Sequence, residues 1–236
     1  MSATISKESS VISKMFNDIA DKYDLLNHTL SFGIDKLWRK KLIRQLRKSG
    51  AVNVLDLACG TGDLTIALAE NGCNATGMDI ADKMLLIAEK KAGKRVRKIS
   101  RLPSFLNGSA EDIPFEESSF DAVTISFGIR NFDNREQCLE QIYRVIKPGG
   151  GLYILEFAIP ENKIWKALYL FYFKNILPLI GRMVSKDRSA YSYLPESVMG
   201  FPQYEAFSAE LGSSGFKDVT YAKCSGGIAL LYIAKK

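Results

Sequence analysis

The chain has 236 residues, 47% hydrophobic and 25% charged, a balance that excludes a disordered or fibrous protein and suits one large α/β domain rather than two. A formal net charge of +6 permits attraction to nucleic acid, anionic lipid or an acidic ligand without choosing among them. Cys59, Cys73, Cys138 and Cys224 stand apart, with no CxxC pair or histidine cluster near them. No metal site and no disulfide framework is therefore expected, and free thiols fit a reducing cytosol.

The N-terminal MSATISKESSVISKMF has no apolar core of the length a secretory signal needs. No stretch approaches the roughly 18 uncharged residues of a membrane span, so a soluble, cytoplasmic protein is expected. Helical spacing runs through MFNDIADKYDLLN and DKLWRKKLIRQL, which predicts a helical cap over residues 1–50. From residue 50, strand and helix patterns alternate, as in βαβ units around a mostly parallel sheet. AVNVLDLA reads as a strand, followed by a helix in DLTIALAENG, where Leu64, Ala67 and Leu68 share a face before Gly72. NATGMDI is a second strand, with a helix after it from about Asp82 to Lys91, and SFLNGSA is a third. Between them KKAGKRVRKISR carries seven basic residues in twelve, either a solvated helix end or a contact with anionic lipid head groups.

FDAVTISF is a nearly unbroken apolar strand of the kind buried on both faces. The helix bearing Leu139, Ile142 and Val145 gives way at KPGGG to the strand GLYILEF. At the end, FKDVTYAKCSGGIALLYIAKK reads as two strands joined through Ser225, Gly226 and Gly227, an antiparallel hairpin closing one sheet edge. The fifty residues before it include IWKALYLFYFKNILPLIGRMV, too long and aromatic for an ordinary connection, and read as inserted helices over a pocket. The division is a cap (1–50), a cofactor-binding core (51–157), a substrate-covering insertion (158–210) and a closing hairpin (211–236), all within one domain.

The stretch VLDLACGTGD ends a strand on two glycines. It lacks the lysine of a phosphate-gripping GxxxxGK loop, and Thr65 stands where a dinucleotide fingerprint needs its third glycine. What remains is Gly60, Thr61 and Gly62 at a strand's carboxyl end, where open α/β sheets hold ligands and where bare backbone can approach closely. Asp79 closes the next strand, placed to accept from both hydroxyls of a ribose or to cap the following helix. Asp56 would orient the loop or meet an ammonium group. Ser109, Ala110 and Glu111 would suit an adenine edge. Ribose, adenine, an amino group and no pyrophosphate describe S-adenosylmethionine.

The order of these features resembles class I S-adenosylmethionine-dependent methyltransferases, whose Rossmann-like seven-stranded sheet ends in an antiparallel hairpin. More specifically, YDLLN, FGIRN and YSYLPES, within a likeness spanning nearly the whole chain, resemble the menaquinone and ubiquinone biosynthesis C-methyltransferases. Where that family often has histidine and arginine before the tryptophan, this chain has Asp35 and Lys36. The resemblance implies methylation of a ring carbon of a prenylated quinol, a demethylmenaquinol or a ubiquinone precursor. It carries Ser126 over as a cofactor contact.

An aromatic carbon attacks a sulfonium methyl only when an adjacent hydroxyl sends charge into the ring, so the site needs a proton acceptor and a group favouring the phenolate. Arg130 would stabilise the oxyanion, or pair with Asp133 or another carboxylate; Asn131 would orient the hydroxyl. Asp24, or a water it holds, would take the proton, unless it is a solvated helix acid. Tyr23, Asn27, Tyr191 and Tyr193 are substrate-side polar groups, while His28 reads as packing or capping. The segment Trp165 to Phe173 is either core or a channel for an isoprenoid tail beside a transient membrane contact. No nucleic-acid partner is expected, and the oligomeric state, monomer or homodimer, stays open. The alternatives are a methyltransferase for another small molecule or RNA, and a non-catalytic nucleotide-binding subunit.

Overall fold

The computed structural model describes residues 8–30, 33–95, 99, 101–172, 175 and 189–236. Two helices, α1 (Ser9–Leu30) and α2 (Asp35–Lys48), lead into β1 (Asn53–Leu57). The chain then alternates through α3 (Asp63–Glu70), β2 (Asn74–Asp79), α4 (Asp82–Gly93), β3 (Ser104–Asn107), β4 (Phe120–Ser126), α5 (Arg135–Val145) and β5 (Ile146–Phe157). Helices α6 (Lys163–Phe171), α7 (Ser189–Gly200) and α8 (Glu205–Ser213) precede the hairpin of β6 (Lys217–Cys224) and β7 (Ala229–Lys235). The seven strands lie in the order β3-β2-β1-β4-β5-β7-β6, with β7 antiparallel to both of its neighbours.

Successive strand residues alternate between two cores. Leu55, Val123, Ile125, Leu152, Ile154, Leu230 and Tyr232 meet Leu139, Ile142 and Val145 of α5 and Phe207 and Leu211 of α8 on one face. Val54, Ala122, Tyr153, Leu155 and Leu231 meet Trp38, Leu42 and Leu46 of α2 and Leu64 and Leu68 of α3 on the other. Both faces are therefore covered, which is why β4 and β7 read as continuous apolar runs. The order reverses between β1 and β4, the switch point outside which α/β sheets bind ligands.

The class I architecture expected from sequence is thus present, with two refinements. Helix α5 stops at Val145, and Ile146–Gly150 continues as extended chain, so β5 begins five residues before Gly151. Lys147 precedes a proline and is excluded from helical backbone. Secondly, the N-terminal fifty residues do not act as one cap: α2 belongs to the sheet's covering layer through Trp38, while α1 packs on α4 and, through Ile12 and Met15, against Tyr193 of α7. Among the described residues no helix is long and apolar enough to cross a membrane.

Candidate active site

The tips of β1 and β4 are pressed together at the switch point. Ala58 and Phe127, the residues just after each strand, both take left-handed backbone at φ 50 and φ 62. Non-glycine residues rarely hold such conformations, which cluster at ligand sites at about 1–3 kcal/mol each. A Cβ on Gly128 would stand 2.5 Å from that of Ala58, so only glycine fits where the two tips meet. Phe127 is held by stacking on Phe157 with centroids 4.3 Å apart, and its N–H donates to Leu155 at 2.7 Å.

The two glycines of the loop after β1 serve different ends. Gly60 faces a cleft, where a Cβ would meet only the Tyr23 ring edge at 3.7 Å. Gly62 faces the core, where a Cβ would strike Ala88 at 2.8 Å and Phe105 at 3.0 Å; its N–H donates to Cys59 at 3.0 Å. Its bareness lets α4 and β3 close on the loop, a packing role in addition to the ligand approach expected of it.

The cleft spans about 700 Å³ of space outside the atoms, part of it open solvent. Ile12, Phe16, Met78, Ile80 and Met84 line its apolar side, and Asp79, Ser109, Ala110, Glu111 and Asn131 line the rest. Asp79 accepts the Gly60 N–H at 2.8 Å on one oxygen and the Ala81 N–H at 2.9 Å on the other. It therefore ties the chain entering α4 to the glycine loop, with lone pairs left for a diol. Burial raises its pKa against those N–H donors. Glu111 accepts the Asn134 N–H at 3.1 Å through its carboxylate and the Gln137 side-chain amide at 3.0 Å through its carbonyl, which ties it to the start of α5 at the border of the cleft.

Asp56 is buried below the loop, accepting Thr65 Oγ1 at 2.6 Å and Thr124 Oγ1 at 2.7 Å. Desolvation pushes its carboxyl up to about 6 despite these two donors. It orients α3 and β4 about the loop, the first of the two roles expected for it.

Asp24 turns to the loop, not to the cleft. One oxygen accepts Thr61 Oγ1 at 2.5 Å and the other pairs with Lys91 Nζ at 2.8 Å. Lys91 also pairs with Asp63, and Asp63 with Arg39 Nη1 at 3.3 Å, which bonds Asp35 at 2.6 Å. The cluster ties α1, α2 and α4 to the glycine loop. Asp35, at the position where the sequence departs from its resemblance, is the buried anchor of Arg39.

Arg130 and Asn131 follow β4 in a 3-10 turn (Ile129–Asn131), both buried. The guanidinium pairs with Glu156 at 2.8 Å, donates to the Phe127 carbonyl and, through Nε, to Ser197 at 3.3 Å. Asp133, the neighbour considered from sequence, is not its partner in the described bonds. Asn131 lines the cleft and accepts the Tyr193 hydroxyl at 2.9 Å through Oδ1. Burial raises the pKa of Tyr193, which keeps its proton to donate. Tyr23 lines the cleft, with its ring edge-on to Phe16. Asn27, His28 and Tyr191 lie in helices where their side chains fall outside the described residues.

Sequence reasoning missed Gly128, Arg39, Lys91 and Glu156. Of these only Gly128 carried a local sign, lying within FGIRN; the others act through partners remote in sequence.

A family model described as the ubiE/COQ5 methyltransferase family matches residues 3–236. The chain is 45% identical over 235 residues to the demethylmenaquinone methyltransferase of Chlorobaculum tepidum, covering 98% of this chain and 94% of that protein. It is 42% identical over 224 residues to the demethylmenaquinone methyltransferase of Thermus thermophilus, covering 94% and 100%. To the ubiquinone/menaquinone biosynthesis C-methyltransferase UbiE of Geotalea daltonii it is 40% identical, covering 98% and 99%. Among solved structures, magnesium protoporphyrin IX methyltransferase from Synechocystis PCC 6803 with bound SAH superposes with a TM-score of 0.68 at 17% identity, covering 97% and 100%. The [4+2]-cyclase SpnF superposes at 0.65, also at 17% identity, covering 98% and 97%. At such identities these two likenesses speak for fold alone, and the cyclase shows that one fold serves unlike reactions.

Proposed function

The chain belongs to the ubiE/COQ5 methyltransferase family, and from that premise we propose that it methylates a ring carbon of demethylmenaquinol, using S-adenosylmethionine. The observation that carries this reading is the match over residues 3–236, joined to a cleft at the β1/β4 switch point whose lining suits an adenosine.

The residues fit the cofactor. Gly60 leaves room for close approach, Asp79 offers carboxylate lone pairs to the ribose hydroxyls, and Ser126 Oγ is buried without a hydrogen-bond partner in the described structure. Ser109, Ala110 and Glu111 border the adenine end, and Thr61 fixes the loop to the cap through Asp24. When bound, S-adenosylmethionine supplies an electrophilic methyl group.

This chain's share of the chemistry is orientation and charge. With Oδ1 taken by Tyr193, the amide nitrogen of Asn131 is the end left to donate to a ring oxygen, favouring the phenolate that makes the adjacent carbon nucleophilic. Arg130, committed to Glu156 and the Phe127 carbonyl, holds the turn that presents Asn131. We assign it a positioning role.

A membrane-dissolved substrate is consistent with α6. Ile164, Trp165, Leu168 and Phe171 are each more than half exposed, fall on one side of the helix, and are flanked by Lys163 and Lys166. This pattern suits shallow insertion into an anionic surface. Co-sedimentation with anionic vesicles is expected to fall severalfold in the Trp165→Ala/Leu168→Ala double variant.

The reaction is tested with methyl-labelled S-adenosylmethionine and, separately, reduced demethylmenaquinone, a reduced ubiquinone precursor and tRNA. Label in the naphthoquinol is expected. Label in RNA alone overturns the proposal.

A further inference from the structure

Helix α2 turns Trp38, Leu42, Ile43 and Leu46 to the core and leaves Lys36, Leu37, Lys40, Arg44, Arg47 and Lys48 exposed. It holds seven cations and one acid, Asp35, which is buried against Arg39. Among the described residues no carboxylate pairs with Lys36, Lys40, Arg44, Arg47 or Lys48. Lys36, Lys40, Arg44 and Lys48 recur every four residues, a spacing at which like charges destabilise a helix. The helix dipole favours Arg47 and Lys48 in the last turn but opposes Lys36 in the first. An external anion relieves the repulsion along such a face.

The surroundings select the anion. Lys40, Ile43, Arg44, Arg47 and Lys48 border an open hollow completed by Asn71 at the end of α3, so four cations surround a place for a phosphodiester. Through the turn after β6, α2 also adjoins the apolar helix α6. Trp38 Nε1 donates to Ser225 Oγ at 2.9 Å and Lys41 Nζ to the Lys223 carbonyl at 3.0 Å, while the Trp165 ring of α6 stands 3.8 Å from where a Cβ on Gly226 would lie. Leu37, 61% exposed and one turn from Lys40 and Lys41, adds an apolar side chain to the cationic face. Cations beside exposed apolar side chains match the boundary between lipid head groups and acyl chains. A nucleic acid has less to meet here: Trp38, the only aromatic of α2, is buried, so none is offered for a base to stack on.

We propose that the outer face of α2 docks on the phosphate head groups of an anionic phospholipid bilayer, with α6 inserting beside it. The inference rests on the reading of α6 as a membrane contact and deepens it: α6 supplies apolar insertion, and α2 supplies the selection for anionic lipid. Because α2 is packed against the sheet, the contact fixes how the core stands on the membrane.

The test is flotation of the full chain with vesicles of phosphatidylcholine, with and without phosphatidylglycerol. Lys40→Gln/Arg44→Gln/Arg47→Gln removes three charges from the face, and Lys90→Gln/Lys94→Gln/Arg101→Gln removes three exposed charges from the other basic stretch. The first variant should bind phosphatidylglycerol vesicles about tenfold or more weakly, and the second should stay within about threefold of wild type, since distant charges are screened. The first variant should be as thermally stable as wild type, because it relieves repulsion; should it unfold, Lys40→Gln/Arg44→Gln is read in the same way. Equal losses in the two triple variants, or no loss in the first, overturn the proposal. So does a loss of tRNA binding in the first variant with vesicle binding unchanged, which would assign the face to nucleic acid. Wild type that floats with neither vesicle overturns the reading of α6 as well. Wild type that floats, and loses this only in Trp165→Ala/Leu168→Ala, overturns the α2 proposal alone.

Discussion

Two ionic clusters flank the paired strand tips, and they differ in depth. On the glycine-loop side, Lys91, Asp24 and Asp63 keep 27%, 34% and 25% of their side chains exposed. On the other side, Arg130 and Glu156 keep 8% and 1%. The shallow cluster continues inward through Arg39 to the buried Asp35, at 13% and 3%, so water can replace contacts only among its outer members. The deep pair has a single carboxylate for its guanidinium, reinforced by Ser197 and a backbone carbonyl. Breaking one partner there strands a charge in low dielectric. One side of the cleft is thus adjustable at its outer contacts; the other is fixed.

The largest effect should come from breaking the deep pair. Glu156→Ala is expected to destabilise the fold by about 3–5 kcal/mol in urea unfolding, and a loss under 1 kcal/mol would erase the contrast. Asp56, lying between the clusters, sharpens it through pH. Its folded pKa of about 6 exceeds the unfolded 3.8, so its contribution is fully present below about pH 4 and is lost as pH rises through 6. That amounts to about 3 kcal/mol. Asp56→Asn should flatten this part of the stability profile between pH 4 and 7, and an unaltered slope would place the titration elsewhere.

Asp79, on the adjustable side, should matter more to ligand than to fold: Asp79→Ala is expected to weaken cofactor binding by ~1–3 kcal/mol in calorimetry. The smallest change belongs to the shallow cluster. Lys91→Met should cost about 0.2–1 kcal/mol at low salt, with the difference shrinking in 0.5 M salt, on the order of a 4 Å Debye length. A salt-independent loss would show the cluster to be as rigid as its counterpart.

The same contrast marks what the sequence could and could not disclose. The inner strands β1, β4, β5 and β7 were legible because both faces are covered, which leaves mainly apolar runs, and the glycine loop because its missing lysine and third glycine are themselves informative. The ion pairs were not. Glu156 lies 26 residues from Arg130 and reaches it only because β4 and β5 are neighbours, whereas Asp133 was close in sequence and remote in partnership. Lys91 meets Asp24 across 67 residues, where no periodicity points. The packing role of Gly62 was not legible because a bare position reads alike whether a cofactor or Ala88 and Phe105 demand it. Helix α2 was read as cap because its basic surface hides the stripe of Trp38, Leu42 and Leu46.

Strand β7 sits between β5 and β6 although it is the last of the seven to be translated. During synthesis, the outer rim of β5 therefore emerges with its backbone donors and acceptors exposed, and stays so until the final strand slides in antiparallel. Such a bare rim invites pairing between nascent chains. Association of partly folded chains is expected wherever this single inverted insertion is slow.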